Sequence, residues 1–386
     1  MNLRDKLKAI ERPKVKATPV DPPPVQQFTD CWHGYEHYPL RDFPGALDVQ
    51  RETVMLMQGE DMPLCLDPRR ILYLDTETTG LMGGAGTVAF EVGLGWLTDE
   101  GFHVHQLIMR DYPEEKFLLQ TIVDTAANFD VICTFNGKTF DLPLLRNRFI
   151  MNRIRTDCLE KPHIDLLHIA RRVWKLRLRK CNLTNLEEAL LGIPRVNDLP
   201  GAMVPERFFN YLKSGDFSQF DDVLEHNAQD IASLCVLLSH MCRMYEHPDQ
   251  LRFDEDVYSM GVALDRFKHT EEARRCYRLA GGSMHAQGQQ RLAVSYRRGG
   301  DRAEAAKIWL GMIRRREGGV MPYVELAKYY EHTEKDASAA LDMVRQAISV
   351  MSEPSLFDDA SVQETRNALQ YRYERLKRKL GQDEKT

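Results

Sequence analysis

The chain has 386 residues, 43% hydrophobic and 28% charged, with a net charge of −5. That length exceeds the usual single domain and predicts two, and the composition is that of a soluble globular protein. No apolar run is long enough to span a bilayer, and the near-balanced charge leaves a polyanionic partner to be decided by a local patch.

Residues 1–30 carry Pro13, Pro19, Pro22, Pro23 and Pro24 with charged residues and no apolar stretch, so they read as a flexible leader and not a secretion signal. Residues 31–70 read as an N-terminal extension. Eight scattered cysteines without a CxxC pair argue against a zinc knuckle or a disulfide framework and predict a reducing cytoplasm.

From Ile71, ILYLDTETTG is a short apolar run ending in a polar turn, VAFEVGLGWLTDEG a second strand with a hairpin-like turn, and FHVHQLIMR a third. Residues 114–127 have apolar positions at helical spacing, FDVICTFNG is a strand closing on Asn-Gly, and DLPLLRNRFIMNR is helical. Strands first, then strands alternating with helices, predict an α/β mixed sheet flanked by helices over 71–247. Within it, residues 171–180 hold six cations around Trp174, beside Arg146, Arg148, Arg153 and Arg155. This is either a nucleic-acid patch or a solvated helix face.

Over 253–380 the pattern is all-α and three segments repeat. Gly261, Ala293 and Ala327 fall 32 and 34 residues apart, and each precedes a small residue (Ala273, Ala305, Ala340) followed four later by Tyr277, Trp309 or Val344. Small residues where two helices cross, with a large one a turn later, are the packing logic of a two-helix repeat. The segments resemble tetratricopeptide repeats, which implies a surface for a protein partner; an ordinary helical bundle is the alternative.

Asp75 and Glu77 end the first core strand at i and i+2, hence on one face, where two carboxylates are costly unless something positive lies between them. Asp141 follows an Asn-Gly turn and precedes a helix, where it can reach the same cation, cap the helix, or both. His226 and Asp230 stand one turn apart on a helix. An all-oxygen donor set favours Mg²⁺ or Mn²⁺ over zinc.

In this order, DTETTG, N-x-x-x-F-D-x-P and H-x-x-x-D resemble the three motifs of the DEDD exonuclease superfamily, and HIDLLHIARRVW resembles a segment of family B DNA polymerase proofreading domains. DTETTGLMGGAGTVAFEVGLG, TFNGKTFDLPLLRNRF and CNLTNLEEALLGIPRVNDLPG resemble a bacterial RNase-H-like family often called YprB-like, over about residues 31–245. The resemblance implies an RNase-H-like domain followed by tetratricopeptide-like repeats. It also implies a metal-dependent 3′–5′ exonuclease acting on DNA or RNA. Two Mg²⁺ or Mn²⁺ ions would be held by Asp75, Glu77, Asp141 and Asp230, with His226 orienting or deprotonating the attacking water. Thr78, Gly80, Asn136, Phe140, Asp165 and Arg195, in or beside the same segments, are candidate substrate contacts, Asp165 also as an auxiliary acid. Gly80, Gly83, Gly84 and Gly86 either let a substrate backbone approach or form a flexible hairpin. One superfamily subtype carries Tyr four residues before the last Asp and the other His five before it; here His226 takes the Tyr spacing. A catalytically silent scaffold for nucleic acid or protein and a structure-specific endonuclease are the other readings.

Overall fold

The computed structural model describes residues 30–80, 86–155, 157–193, 195, 199–351 and 360–383. The Pro-rich leader up to residue 29, Gly83 and Gly84 lie outside these residues. Six strands, β1 (Trp32–Pro39), β2 (Ile71–Thr78), β3 (Ala89–Leu97), β4 (Gly101–Ile108), β5 (Val131–Thr134) and β6 (His163–Asp165), form one sheet in the order β1-β4-β3-β2-β5-β6. β1 to β4, β4 to β3 and β3 to β2 are antiparallel, whereas β2, β5 and β6 run parallel.

Parallel strands need crossovers. Before β5 stands α2 (Glu115–Ala126), and α3 (Asp141–Met151) links β5 to β6; α1 (Arg51–Gln58) precedes β2. After β6 come α4 (Leu166–Leu178), a helical turn at Leu183–Leu186, α5 (Val204–Ser214) and α6 (Asp221–Glu246). Alternation along β2 divides the interior. Leu72 and Leu74 pack with α2 and α3 residues such as Leu118, Ile122, Leu145 and Phe149, while Ile71 and Tyr73 pack with Trp174, Leu234 and Leu238 of α4 and α6. With both faces covered, β2 reads as a continuous apolar run. A mixed six-stranded sheet flanked by helices is the RNase-H-like arrangement expected from the sequence.

The stretch read as an extension is part of this domain. β1 adds the edge strand against β4, and α1 packs on α6, with Thr53 Oγ1 donating to Glu246 Oε1 at 2.8 Å. β1 has no fully buried side chain, so no core-facing apolar alternation marks it in the sequence.

Helical pairs follow: α7 (Asp254–Arg266) with α8 (Thr270–Leu279), α9 (His285–Arg298) with α10 (Arg302–Arg314), and α11 (Met321–Tyr329) with α12 (Ala337–Met351), then α13 (Ala360–Asp383). Ala273, Ala293, Ala305, Ala327 and Ala340 are fully buried, as are Tyr277 and Val344. A Cβ on Gly261 would lie 2.8 Å from the Tyr277 ring, so the small residue permits α7 and α8 to approach.

The pattern break at 247–253 is not a break in packing. Val257, Met260, Leu264 and Tyr277 share one apolar cluster with Trp174, Leu237 and Met241. Arg177 grips Asp256 through Nε at 2.9 Å and a second nitrogen at 2.7 Å, and Arg172 stacks over Phe267 at 4.8 Å. Removing α7 and α8 would leave that face in water. A chain ending after residue 250 is expected to be insoluble or to lose cooperative thermal unfolding, while one ending after residue 300 keeps both; a soluble, cooperatively melting 1–250 fragment would contradict the shared core.

Candidate active site at the ends of the central strands

Asp75 and Glu77 on β2 pair across the ladder with Gly93 and Glu91 on β3, and Gly93 pairs in turn with Gln106 on β4. The empty position at Gly93 admits Asn227 from α6: a Cβ there would lie 2.1 Å from Asn227 Oδ1. Asn227 Nδ2 donates to Asp75 Oδ2 at 3.2 Å, and Gln106 Nε2 donates to Asn227 Oδ1 at 3.3 Å and to Glu91 Oε1 at 3.1 Å. An amide relay thus backs the Asp75 carboxylate, and Glu91 is a further buried carboxyl, its Oε2 unbonded among the described residues.

Asp141 is the first residue of α3, and Phe140 is its N-cap. Contrary to the capping expectation, no side-chain cap bond forms there; Asp141 Oδ1 instead accepts from Thr76 Oγ1 at 2.6 Å, tying α3 to β2. The β5–α3 turn needs a left-handed residue, supplied by Asn136 at φ 71°. Asp165 accepts from the backbone N–H groups of Asn136 (2.9 Å), Lys138 (3.0 Å) and Leu167 (3.1 Å). Its oxygens brace this turn and cap α4, and its charge adds to burial in raising the Asp141 pKa. Thr78 Oγ1 donates to the Gly80 carbonyl at 2.9 Å, finishing the β2 end, and Phe140 is half-buried.

His226 Nε2 lies 3.7 Å from Glu77 Oε1 and 3.6 Å from Asp230 Oδ2. Its Nδ1 faces a guanidinium nitrogen of Arg195 at 3.2 Å. Arginine only donates, so when the imidazole is neutral Nδ1 accepts and the proton lies on Nε2, aimed at the carboxylates. Arg195, expected to contact substrate, is 4% exposed; it also bonds Asp230 and, at 2.8 Å, Glu187 Oε1, which accepts from Ser233 too. Its Nε and Nη2 serve protein carboxylates, so it acts as a counter-charge to Asp230 and Glu187.

These contacts set the electrostatics. Burial, then the charges of Asp230, Asp141 and Glu77, hold the Asp75 carboxyl well above the ordinary range. Burial pushes Glu77 up to about 7 despite His226, and Asp141 up to about 6 despite the Thr76 bond. Asp230 is raised by burial and partly relieved by His226 and Arg195. Burial and the neighbouring Glu77 and Asp75 charges raise Glu91 well above its usual value. Buried oxygen donors that repel one another fit a hard divalent cation. Their oxygens are more widely spread than those of Asp30, Cys31 and His33, the one set of three such ligand side chains among the described residues whose atoms all lie within 4.8 Å. Thr76, Glu91, Gln106, Asn227 and Glu187 were not singled out from sequence; the Gly93-x-Gly95 spacing on β3 is a signal that could have pointed to the close approach of α6 there.

Carboxyls with folded-state pKa values above their unfolded ones contribute stability that is present below the unfolded values and lost as pH rises through the folded ones. In EDTA, Tm is therefore expected to fall as pH is raised from 5 to 8. The loss is about 2 kcal/mol, roughly 4–8 °C, and Mg²⁺ or Asp75→Asn reduces it. A Tm flat across that window by differential scanning fluorimetry would contradict the buried, repelling cluster.

The RNase_H_2 family of the RNase_H superfamily matches residues 72–242. Among curated proteins, the uncharacterized protein YprB of Bacillus subtilis (strain 168) is 32% identical over 319 residues, covering 81% of this chain and 75% of that one. Among solved structures, the family B DNA polymerase of the hyperthermophilic archaeon Pyrobaculum calidifontis aligns at a TM-score of 0.37 and 15% identity, over 61% of this chain and 30% of the polymerase. The chain belongs to the family of YprB and carries an RNase_H superfamily domain over residues 72–242.

Proposed function

We propose that the protein is a metal-dependent 3′–5′ exonuclease that hydrolyses phosphodiester bonds of DNA or RNA. The observation that carries this reading is the convergence of Asp75 and Glu77 of β2, Asp141 of α3 and Asp230 of α6, each with its carboxyl pKa raised by burial. Asp75, Glu77, Asp141 and Asp230 would hold two Mg²⁺ or Mn²⁺ ions. Such ions supply a water ionised near neutral pH and stabilise charge on the leaving oxygen.

The chain's own groups complete the chemistry. The Asn227–Gln106–Glu91 relay holds Asp75. His226, with Nδ1 facing Arg195, presents Nε2–H toward the site. It therefore orients the attacking water or a phosphate oxygen by donating, which supports the orienting role over that of a base. Asn136 and Phe140, beside Asp141, are read as contacts to the terminal nucleotide, with Thr78 and Gly80 shaping the strand end. The C-terminal pairs are read as tetratricopeptide-type repeats that take a protein partner, and eight unpaired cysteines support a reducing, cytoplasmic location. No helix among the described residues is long and apolar enough to cross a membrane.

One observation favours a second reading: Arg195 already neutralises Asp230, as it would in a silent scaffold. End-labelled single- and double-stranded DNA and RNA, with a circular control, incubated with Mg²⁺ or Mn²⁺ separate the readings. Stepwise loss from 3′ ends is expected, with circles intact. Asp75→Ala and Asp230→Ala are expected to abolish it, and His226→Ala to lower the rate about 10²- to 10³-fold, as for loss of one preorganised donor. Cut circles would replace the exonuclease reading with an endonuclease, and no cleavage by the wild type would leave the scaffold.

A further inference from the structure

Helix α4 carries the densest run of cations in the chain, and the structure sorts them into two sets. Arg172 donates to the Met57 carbonyl at 2.9 Å, Arg177 is clamped on Asp256, and Trp174 is 1% exposed. This set holds the fold together, and Trp174 cannot stack on a ligand. The second set, Arg171, Lys175 and Arg179, recurs every four residues, is exposed, and has no ion-pair partner among the described residues. Arg171 and Lys175, four apart on α4, are neighbours about 6 Å along the axis, and Arg179 is the C-cap just beyond the helix, at φ 62°.

These three side chains and Lys180 line an open cleft of 860 Å³. Leu167 and Leu183, both largely buried, line it with Phe135 and Asn136. Phe135 and Asn136 open the same turn that delivers Asp141, so the cleft runs into the loop carrying one of the candidate ligands. Like charges kept together without counter-ions are costly, and a polyanion relieves the repulsion. An apolar floor beside a cationic rim suits a ligand whose base faces are free, because a duplex stacks those faces on one another.

We propose that this cleft binds a single strand of nucleic acid, with phosphates on Arg171, Lys175 and Arg179 and bases against Leu167, Leu183 and Phe135. The proposal rests on the nuclease reading for where the strand leads, but not for the binding itself. Aromatic and apolar surface accepts any base, so binding is largely independent of sequence.

The test is fluorescence anisotropy in EDTA, with the full-length chain and 5′-labelled oligothymidylate, oligouridylate and a matched DNA duplex. Replacing the three cations together, as Arg171→Glu, Lys175→Glu and Arg179→Glu, is expected to weaken single-strand binding at least about tenfold. The neutral set Arg171→Gln, Lys175→Gln and Arg179→Gln is expected to reduce the salt slope by about 2, from roughly 0.7 per phosphate contact. The neutral set is read alone should charge reversal prevent folding, as judged by thermal melting. Tighter binding of oligothymidylate or of oligouridylate identifies the strand as DNA or RNA. Unchanged affinity and slope in a folded variant, or a duplex bound as tightly as the single strands, would overturn the proposal. Because hydrolysis is not measured, intact oligonucleotide binding in a wild type that cleaves nothing would sink the nuclease reading and leave the cleft standing.

Discussion

Helix α6 lies directly on β3 because positions 93 and 95 have no side chains to hold it off. A Cβ at Gly93 would meet Asn227, and one at Gly95 would lie 2.4 Å from Ile231 Cγ2. With the helix seated so closely, Asn227 and Ile231 fill the strand surface, and the adjoining helix positions carry His226 and Asp230 to the end of β2. The same contact sets the register of the relay from Asp75 through Asn227 to Gln106. A displacement of about an ångström at this contact would misplace donors contributed by three separate elements.

Gathering carboxylates at this contact is unfavourable by itself. Burial opposes their ionisation, and each charge raises the pKa of its neighbours. Arg195 offsets part of the cost at Asp230, held in turn by Glu187 from the turn after α4. Asp75 has no ion-pair partner among the described residues, and the charges of His226 and Arg195 offset only part of the burial at Glu77, so proton retention relieves both. A divalent ion at the site would act in the same sense as the proton and would compete with Arg195 for Asp230.

Much of this was legible in the sequence. Period-two and helical patterns give β2 to β5, α2, α3 and α6, and strand alternation alone puts Asp75 and Glu77 on one face. What escaped depends on register and on backbone demand. The partnership of Asp75 with Gln106 exists only because β2, β3 and β4 align at Gly93, and no local pattern encodes that alignment. Asp165 looked like a spare acid because a sequence does not show how many backbone N–H groups a turn leaves unsatisfied. The pairing of Arg195 with Glu187 and Asp230 was not legible, because those partners lie on separate elements. The repeated small residues were readable as helix contacts, yet the shared core of α4, α6 and α7 was not, since periodicity shows that a face is apolar and not which neighbour covers it.

The central claim is that the end of β2 is a divalent-cation site built from Asp75, Glu77, Asp141 and Asp230. Electron paramagnetic resonance titration of the metal-free, full-length protein with Mn²⁺ at pH 8 tests it most directly. The account predicts two bound ions per chain, with Asp75→Asn losing at least one of them. A wild-type protein that binds no Mn²⁺, or an Asp75→Asn protein that binds it as the wild type does, would contradict the account.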